Sequence, residues 1–445
     1  MKSILKALSA VALTGVMVLP VLADDATTTT DGTDSKDLKK VIEDQGINYV
    51  ETAQKGITLS GYVDVSYTNQ FAGRGGPFSG SNQSNLRQFD TNGDSFNVQA
   101  VKIALEKALP TENTWAAGFR IDTIYGSDAN ALKDSVINTG ASGVALEQAL
   151  VKFRIPVGNG LDIYAGKFVT FLGYEVIESP ANPNFSRGLL FTNAIPLTHT
   201  GVYADYKFND TFEAKFGVVD GWNNSTSTPA GTSDNTFGGK AITGQLNINA
   251  PGKNANITQS FIYSPQGDTA SLSNPLTTGP GAANPASATG AITASGNNPV
   301  FVYDIWGNWT PTFDKSGNLT LGFNLDYGYD SFSWYGAALY AQYKLTKVIT
   351  LAGRGEYLHS DANAGKFGEG GTFSTGPNNV GTQTLNQEFH SGSQDDYSLT
   401  FTASFAIWDN LLTRAEYRLD DLSANTTGTT TQIQNEVSLE AVYSF

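Results

Sequence analysis

Charged side chains recur at every second position in segments whose intervening positions are apolar. Lys102 and Glu106, for example, alternate with Ile103 and Leu105. Successive side chains of a β-strand point to opposite faces, so the pattern predicts strands with one apolar face and one charged face. An Arg or Lys that faces lipid near the membrane midplane costs roughly 2–4 kcal/mol, so we expect the charged face to line a water-filled interior. That face carries the bases Lys102, Arg120, Lys152, Arg154, Arg354, Arg414 and Arg418, and the acids Asp64, Glu106, Asp122, Glu356, Glu416, Glu436 and Glu440.

One connecting segment is suited to narrow this interior. Residues 172–198 are rich in Pro and Asn, which favours a compact fold, and they carry two acids and one arginine. We expect the segment to bend inward and to hold its acids opposite an arginine-rich wall, where opposed charges across a narrow gap would order water and slow apolar solutes. The predicted constriction comprises Glu175, Glu178, Arg187, Arg120, Lys152, Arg154, Arg354, Arg414 and Arg418. The alternative leaves the segment outside, with its acids solvated and the wall arginines paired to Glu356 and Glu416.

Signals for enzymatic chemistry are poor. The three histidines, His199, His359 and His390, are far apart in sequence and have no recognisable Ser or metal partner, so we interpret each as a surface or rim side chain. Residues 90–94 resemble the start of a calcium loop, but the Gly is misplaced and no Glu closes the loop; we interpret them as a solvated turn. We therefore predict no catalytic residue, no cofactor and no metal site.

The composition favours one large membrane barrel over several soluble domains. The 445 residues include 47 Gly, 25 Phe and 19 Tyr, only 16% are charged, and the absence of Cys excludes disulfides. The formal net charge of −15 argues against nucleic acid as a partner. No internal run reaches the ~20 apolar residues of a membrane helix, whereas a β-barrel hides its membrane signal by alternation.

The N-terminal region predicts export. Lys2 and Lys6 precede an apolar stretch that ends in a cleavage-like Val21-Leu22-Ala23, so residues 1–23 read as a signal peptide. Residues 24–55 are expected to form a periplasmic linker with a short helix near residues 36–45. The barrel is expected to span residues 56–445.

The alternating segments number about sixteen, and their connections alternate between long and short. The long segment 72–95, for example, is followed by the four residues 110–113, and the long segment 126–144 by the four residues 157–160. Only the connection near Asp330 breaks the rule, because it should be long and is short. We predict an all-β fold, namely a transmembrane antiparallel β-barrel of about sixteen strands with short periplasmic turns and long extracellular loops.

The last strand predicts an assembly signal. Val437, Leu439, Ala441, Tyr443 and Phe445 share its apolar phase, and the chain ends on this aromatic residue. An aromatic end suits a closing strand at a membrane interface. We therefore expect Tyr443 and Phe445 to be read by the barrel assembly machinery, with outer-membrane lipid around the barrel.

Several stretches resemble a known family. They include Arg87-Gln88-Phe89-Asp90, Glu178-Ser179-Pro180-Ala181-Asn182 and Pro196-Leu197-Thr198-His199. Together they resemble the OmpL-like outer-membrane β-barrel porin family, also called porin-2, over roughly residues 56–445. The resemblance implies an outer-membrane barrel that passes small solutes and brings no agreed catalytic residues.

Three functions follow from these observations. The first is a porin through which small hydrophilic solutes and ions diffuse passively, with a weak bias toward cations from the net charge. The second is a substrate-selective channel for a sugar or organic acid, which needs a file of lumen aromatics; the candidates are Tyr62, Tyr164, Phe168, Tyr203 and Trp306, on strands that look scattered. The third, a barrel enzyme or structural anchor, is disfavoured by the missing Ser/His pair and the charged lumen. The sequence leaves open whether the chain is a monomer or a homo-oligomer.

Overall fold

The computed structural model describes residues 56–72, 87, 89–90, 93–132, 143–221, 240–265, 299–330, 332–362, 372–374, 382–384, 392–424 and 430–445. The predicted signal peptide, 1–23, and the predicted linker with its helix, 24–55, lie outside the described residues. Within the described part of the chain, no helix is long and apolar enough to cross a membrane.

Sixteen antiparallel strands close into one barrel. The strands of its first half are β1 (Ile57–Ala72), β2 (Ser95–Lys107), β3 (Ala116–Tyr125), β4 (Val144–Ile155), β5 (Leu161–Val169), β6 (Thr198–Lys207), β7 (Phe212–Val219) and β8 (Ala241–Asn249). Those of its second half are β9 (Ala255–Ser264), β10 (Val300–Trp309), β11 (Leu319–Asp330), β12 (Phe332–Lys344), β13 (Ile349–Ala362), β16 (Gly392–Trp408), β17 (Leu411–Ala424) and β18 (Thr430–Ser444). Two short strands, β14 (Thr372–Ser374) and β15 (Thr382–Thr384), form a separate hairpin. The predicted fold is thereby confirmed.

The alternating sequence pattern gives the barrel its two faces. On β1, Val63 and Val65 are 38% and 41% exposed on the outside, whereas Asp64 between them is fully buried on the inside. The same contrast holds on β18, where Leu439 is exposed and Glu440 is buried. The apolar outer face and polar inner face are those expected of a barrel in a membrane.

Strand β18 closes the barrel. Strand β18 pairs with β1, and the backbone of Phe445 exchanges two 3.0 Å hydrogen bonds with Gly61. A Cβ atom on Gly61 would lie 2.8 Å from the Phe445 ring, so the absence of a side chain there makes room for this ring.

Connection lengths differ between the two barrel ends. At one end the turns are tight; residues 409–410 join β16 to β17, with Asn410 in the left-handed region at φ 61°. At the other end most connections are long, but β11 and β12 are separated by Ser331 alone and β17 and β18 by residues 425–429. The exception near Asp330 is as predicted, whereas the short connection between β17 and β18 was not predicted.

The long loop between β5 and β6 supplies the interior core. This loop, here called L3 (residues 170–197), contains a short 3-10 turn, Ser179–Ala181, and a short helix α1, Leu189–Asn193. Its apolar side chains are buried inside the barrel; they include Phe171, Leu172, Ile177, Phe185, Leu189, Leu190, Phe191, Ile195 and Leu197. A barrel of sixteen strands is too wide to be filled by its own side chains, so L3 provides the filling.

Candidate functional site: an inward loop in the barrel lumen

L3 leaves and re-enters the barrel wall through a narrow neck. The amide of Thr170 donates to the carbonyl of Leu197 at 2.9 Å. Next along L3, the carbonyl of Phe171 accepts hydrogen bonds from Gln245 on β8 at 2.7 Å and from Ser260 on β9 at 2.8 Å. The two ends of L3 therefore lie close together at the wall, and the loop between them is turned into the lumen.

Tyr174 wedges L3 against strands β10–β12. Its hydroxyl donates to Asn308 at 2.8 Å, its amide donates to Asn324 at 3.0 Å, and its ring stacks on Tyr340 with centroids 4.0 Å apart. Gly322 lies beneath the ring, where any Cβ would clash with it.

Glu175 and Arg354 form the first buried anchor. Glu175 Oε1 accepts from Arg354 Nη1 at 2.6 Å, and Glu175 Oε2 accepts from the amide of Gly188 at 2.5 Å. Arg354 also donates to the carbonyl of Ser186 at 2.5 Å and lies 2.9 Å from Glu356. One guanidinium on β13 therefore ties both limbs of L3 to the wall.

Arg414 and Glu440 form the second anchor, on β17 and β18. The two side chains are ion-paired. Arg414 donates to the carbonyl of Asn182 at 3.0 Å, and Glu440 accepts from the hydroxyl of Ser179 at 2.6 Å. The 3-10 turn of L3 is thereby held against the wall.

Glu416 forms a third anchor by accepting backbone amides. The amides of Phe185 and Ser186 donate to its two carboxylate oxygens at 2.7 and 3.0 Å. Two backbone donors satisfied by one carboxylate fix the returning limb of L3.

Arg187 joins L3 to the loop between β3 and β4. Its guanidinium donates to Asp128 at 3.0 Å and to the carbonyl of Ile177, and it lies 4.6 Å from the ring centre of Phe89. Burial raises the pKa of Asp128 to about 7, although Arg187 acts in the opposite direction.

The loop between β1 and β2 also reaches inward. Arg87 donates to the carbonyl of Arg187 at 2.7 Å and to Asp420 on β17 at 2.7 Å, and Asp90 is ion-paired with Arg418. Burial opposes ionisation of Asp90, but Arg418 and Arg87 lower its pKa. The interpretation of residues 90–94 as a solvated turn is therefore wrong at Asp90, because this carboxylate is buried against two arginines.

Lys102 gathers three carboxylates from three elements. Its ammonium contacts Glu178 of L3, lies 2.6 Å from Glu147 on β4, and lies 3.1 Å from Asp122 on β3. One oxygen of each acid falls within 4.8 Å of the others. Burial would raise the pKa of Glu178, but the Lys102 ammonium outweighs burial and lowers it. Lys102 thus supplies the positive charge that a cation would bring to these acids.

A β-bulge brings Glu147 to this cluster. Strand alternation places Glu147 in the same phase as Val151, on the outer face. The pairing of β3 with β4 shifts by one residue between Asp122 and Thr123, so both Glu147 and Gln148 are buried inside. A bulge re-aims a side chain in this way.

The predicted constriction separates into two groups. Arg354, Arg414 and Arg418 have side chains at most 1% exposed, because they anchor the inward loops. Arg120, Lys152 and Arg154 pair with wall acids instead and stay 8%, 11% and 16% exposed. Glu175 is sealed whereas Glu178 keeps 14% of its side chain exposed. The expected water gap between Glu175, Glu178 and the arginine wall is therefore absent at these residues, where direct ion pairs form because L3 rests on the wall.

Aromatic residues of the lumen are less scattered than the sequence suggests. Tyr164 on β5 and Tyr203 on β6 are direct neighbours with stacked rings 4.5 Å apart, and Phe168 contacts Tyr203 at 4.7 Å. The surface interpretation of His199 is also wrong, because its ring is fully buried between the Thr170 hydroxyl and the Gly221 carbonyl.

A closed barrel with an apolar exterior, a charged interior and an inward loop defines a porin-type channel. Residues 56–445 match the family described as beta-barrel porin-2, OmpL-like, and the chain belongs to that family. It is an outer-membrane channel for the passive diffusion of small hydrophilic solutes. A comparison with curated protein sequences finds no significant match.

Solved outer-membrane proteins share the fold. The outer membrane channel DcaP of Acinetobacter baumannii superposes with a TM-score of 0.52 at 11% identity, over 87% of this chain and 97% of that chain. OprB of Pseudomonas putida gives 0.52 at 14% identity, over 90% and 97%. The trimer form of OmpT of Vibrio cholerae gives 0.52 at 10% identity, over 87% and 99%. At such identities the likeness shows the fold alone.

Proposed function

We propose that solutes cross the lumen between L3 and the wall formed by β3–β7. The observation that carries this is the contrast in exposure between the two groups of bases. L3 packs on the side of Arg354 and Arg414, where side chains are sealed, and leaves Lys152 and Arg154 partly accessible. Water and solute therefore have access to the second side.

The constriction in this proposal lies between Glu178 of L3 and the bases Arg120, Lys152 and Arg154, whose side chains are 8%, 11% and 16% exposed. On the side of L3 away from this passage, five buried residues hold the loop in position: Glu175, Arg187, Arg354, Arg414 and Arg418. Most wall charges are paired, as Arg154 is to Asp162 at 2.6 Å, so the field across the passage is weak. We expect weak selectivity with a small preference for cations, in line with the net charge.

We infer that the chain performs no catalysis and needs no cofactor or metal, since the charged clusters around Arg354, Arg414 and Lys102 are ion-paired within the barrel. Outer-membrane lipid would cover the exposed apolar face, and the barrel assembly machinery would read Tyr443 and Phe445. A homo-oligomer is proposed because the similar Vibrio cholerae protein is described in a trimer form.

Reversal potentials of the purified channel in planar bilayers test the passage. Lys152→Gln and Arg154→Gln remove positive charge from the accessible wall, so each should shift the reversal potential in a salt gradient toward cations. The control Lys347→Gln removes the same charge in the exposed turn between β12 and β13 and should leave the reversal potential unchanged. Equal reversal potentials in wild type and both wall variants would place the passage elsewhere.

A further inference from the structure

A pair of tyrosines projects into the lumen beside the neck of L3. Tyr164 and Tyr203 are direct cross-strand partners, and their rings are nearly parallel, with a 5° angle between planes. Phe168 and Phe171 contact Tyr203 edge-on at 4.7 and 4.9 Å. The phenylalanines are buried and the tyrosines are half-buried, so the tyrosines carry the accessible surface of this cluster.

A row of charged side chains runs next to these rings, toward the short-turn end. Cross-strand register places Arg154, Asp162, Asp205 and Lys215 side by side on β4, β5, β6 and β7. All four are half-buried. Arg154 binds Asp162 through two hydrogen bonds of 2.7 and 2.6 Å. The row has two positive and two negative charges, and Glu213, which lies 3.8 Å from Lys215, adds a third carboxylate beside it. The cluster keeps both donors and acceptors.

The rings and the row present two different surfaces to one solute. A tyrosine ring offers a flat apolar face with a polar tip, and paired Arg and carboxylate groups form strong, directional hydrogen bonds. A pyranose has an apolar C–H face and a rim of hydroxyls, so both of its surfaces find a match. An organic anion fits less well, because the carboxylates of the row together with Glu213 outnumber its two bases.

We propose that Tyr164, Tyr203 and the adjacent charged row form a weak binding site for neutral saccharides on the diffusion path. This proposal rests on the proposed passage along the β3–β7 wall, since both tyrosines project from that wall into the lumen. A few polar groups that fix orientation beside an aromatic surface are the usual composition of a small-molecule site.

Block of ion current by maltose tests the site. In wild type, maltose should reduce the conductance of single channels saturably, whereas glycerol, a polyol without a ring, should lower it only through bulk viscosity. Tyr164→Leu and Tyr203→Leu should each raise the half-blocking maltose concentration roughly three- to tenfold, the equivalent of one aromatic contact. Tyr164→Phe and Tyr203→Phe keep the rings and should stay within about twofold of wild type.

The possible outcomes distinguish failure of the saccharide site from failure of the proposed channel. Normal conductance with no maltose block, equal block in the Leu variants, or stronger block by benzoate than by maltose would overturn the saccharide site and leave the channel standing. A folded wild type without ion conductance would overturn both. Tyr164→Leu leaves the contacts of Tyr203 with Phe168 and Phe171 in place, so this variant keeps the test open if a Tyr203 variant does not fold.

Discussion

Replacement of Arg354 by methionine tests whether buried ion pairs hold L3 inside the lumen. Arg354 contacts Glu175 at 2.6 Å and Glu356 at 2.9 Å, and it also binds Ser186 and Thr400. Methionine keeps much of the side-chain volume and removes the charge. The variant therefore leaves two buried carboxylates without the cation they share.

The free-energy cost of Arg354→Met is set by the buried carboxylates that lose their partner. At 2.6 Å and an effective dielectric constant near 20, the attraction between Arg354 and Glu175 is about 6 kcal/mol. Desolvation of both groups offsets most of that gain, yet removal of one partner from a buried pair costs about 3–5 kcal/mol because the other charge stays buried. This corresponds to a change of roughly two to four decades in the equilibrium constant between anchored and released L3.

Single-channel recordings provide the assay. R354M should show a larger and noisier conductance, because L3 loses its link to β13 while its other anchors persist. The double variant R354M/E175M removes one of the two unpaired carboxylates and should recover part of the quiet wild-type level, since Glu356 stays buried without its cation. R154M is the matched control, since Arg154 binds Asp162 and the carbonyl of Pro110 instead of L3; it should shift the reversal potential without added noise. Wild-type conductance and noise in R354M would refute the anchoring role.

Three further predictions concern other residues. Lys102→Met removes the positive charge from the cluster around Glu178, so the reversal potential should shift toward cations. Adding Glu178→Gln should reverse part of that shift. A reversal potential of Lys102→Met equal to that of wild type would contradict the role of Lys102. Asp128 has a pKa of about 7 because burial favours its protonated form. Its stabilising contribution is therefore complete below about pH 4 and is lost as the pH rises through 7. Asp128→Asn should make the melting temperature depend less on pH between those two values. A pH dependence equal to that of wild type would contradict this role of Asp128. Deletion of Phe445 removes its pairing with Gly61 and should lower the yield of heat-modifiable barrel; an unchanged yield would make the terminal aromatic incidental.

The barrel could be predicted from local pattern. Alternation along β1 and β18 fixes which side chains face outward, and turn lengths fix which strands pair, because both depend on residues close in sequence. The short β11–β12 connection at Ser331 was visible for the same reason. The inward path of L3 depends on more than local pattern, since compactness of a loop does not say which surface it covers.

Several functional contacts cannot be predicted from the local sequence pattern. Glu147 occupies an outward phase in the strand pattern and is turned inward by a bulge, which depends on register with the neighbouring strand. Tyr164 and Tyr203 lie 39 positions apart by their residue numbers, and only the pairing of β5 with β6 stacks their rings. For Arg87 and Asp90 the one available hint was the family-like stretch in which they stand.

Side-chain alternation is a property of each strand alone, so the residues of the strands are enough to predict a polar-lined membrane barrel. Which charges touch water depends on how distant segments pack. Arg354 and Arg154 carry the same side chain on the same face of the barrel, yet L3 seals the first and leaves the second partly exposed. Burial depends on what packs against a residue from a distant part of the chain, and that information is absent from the residue's own neighbourhood.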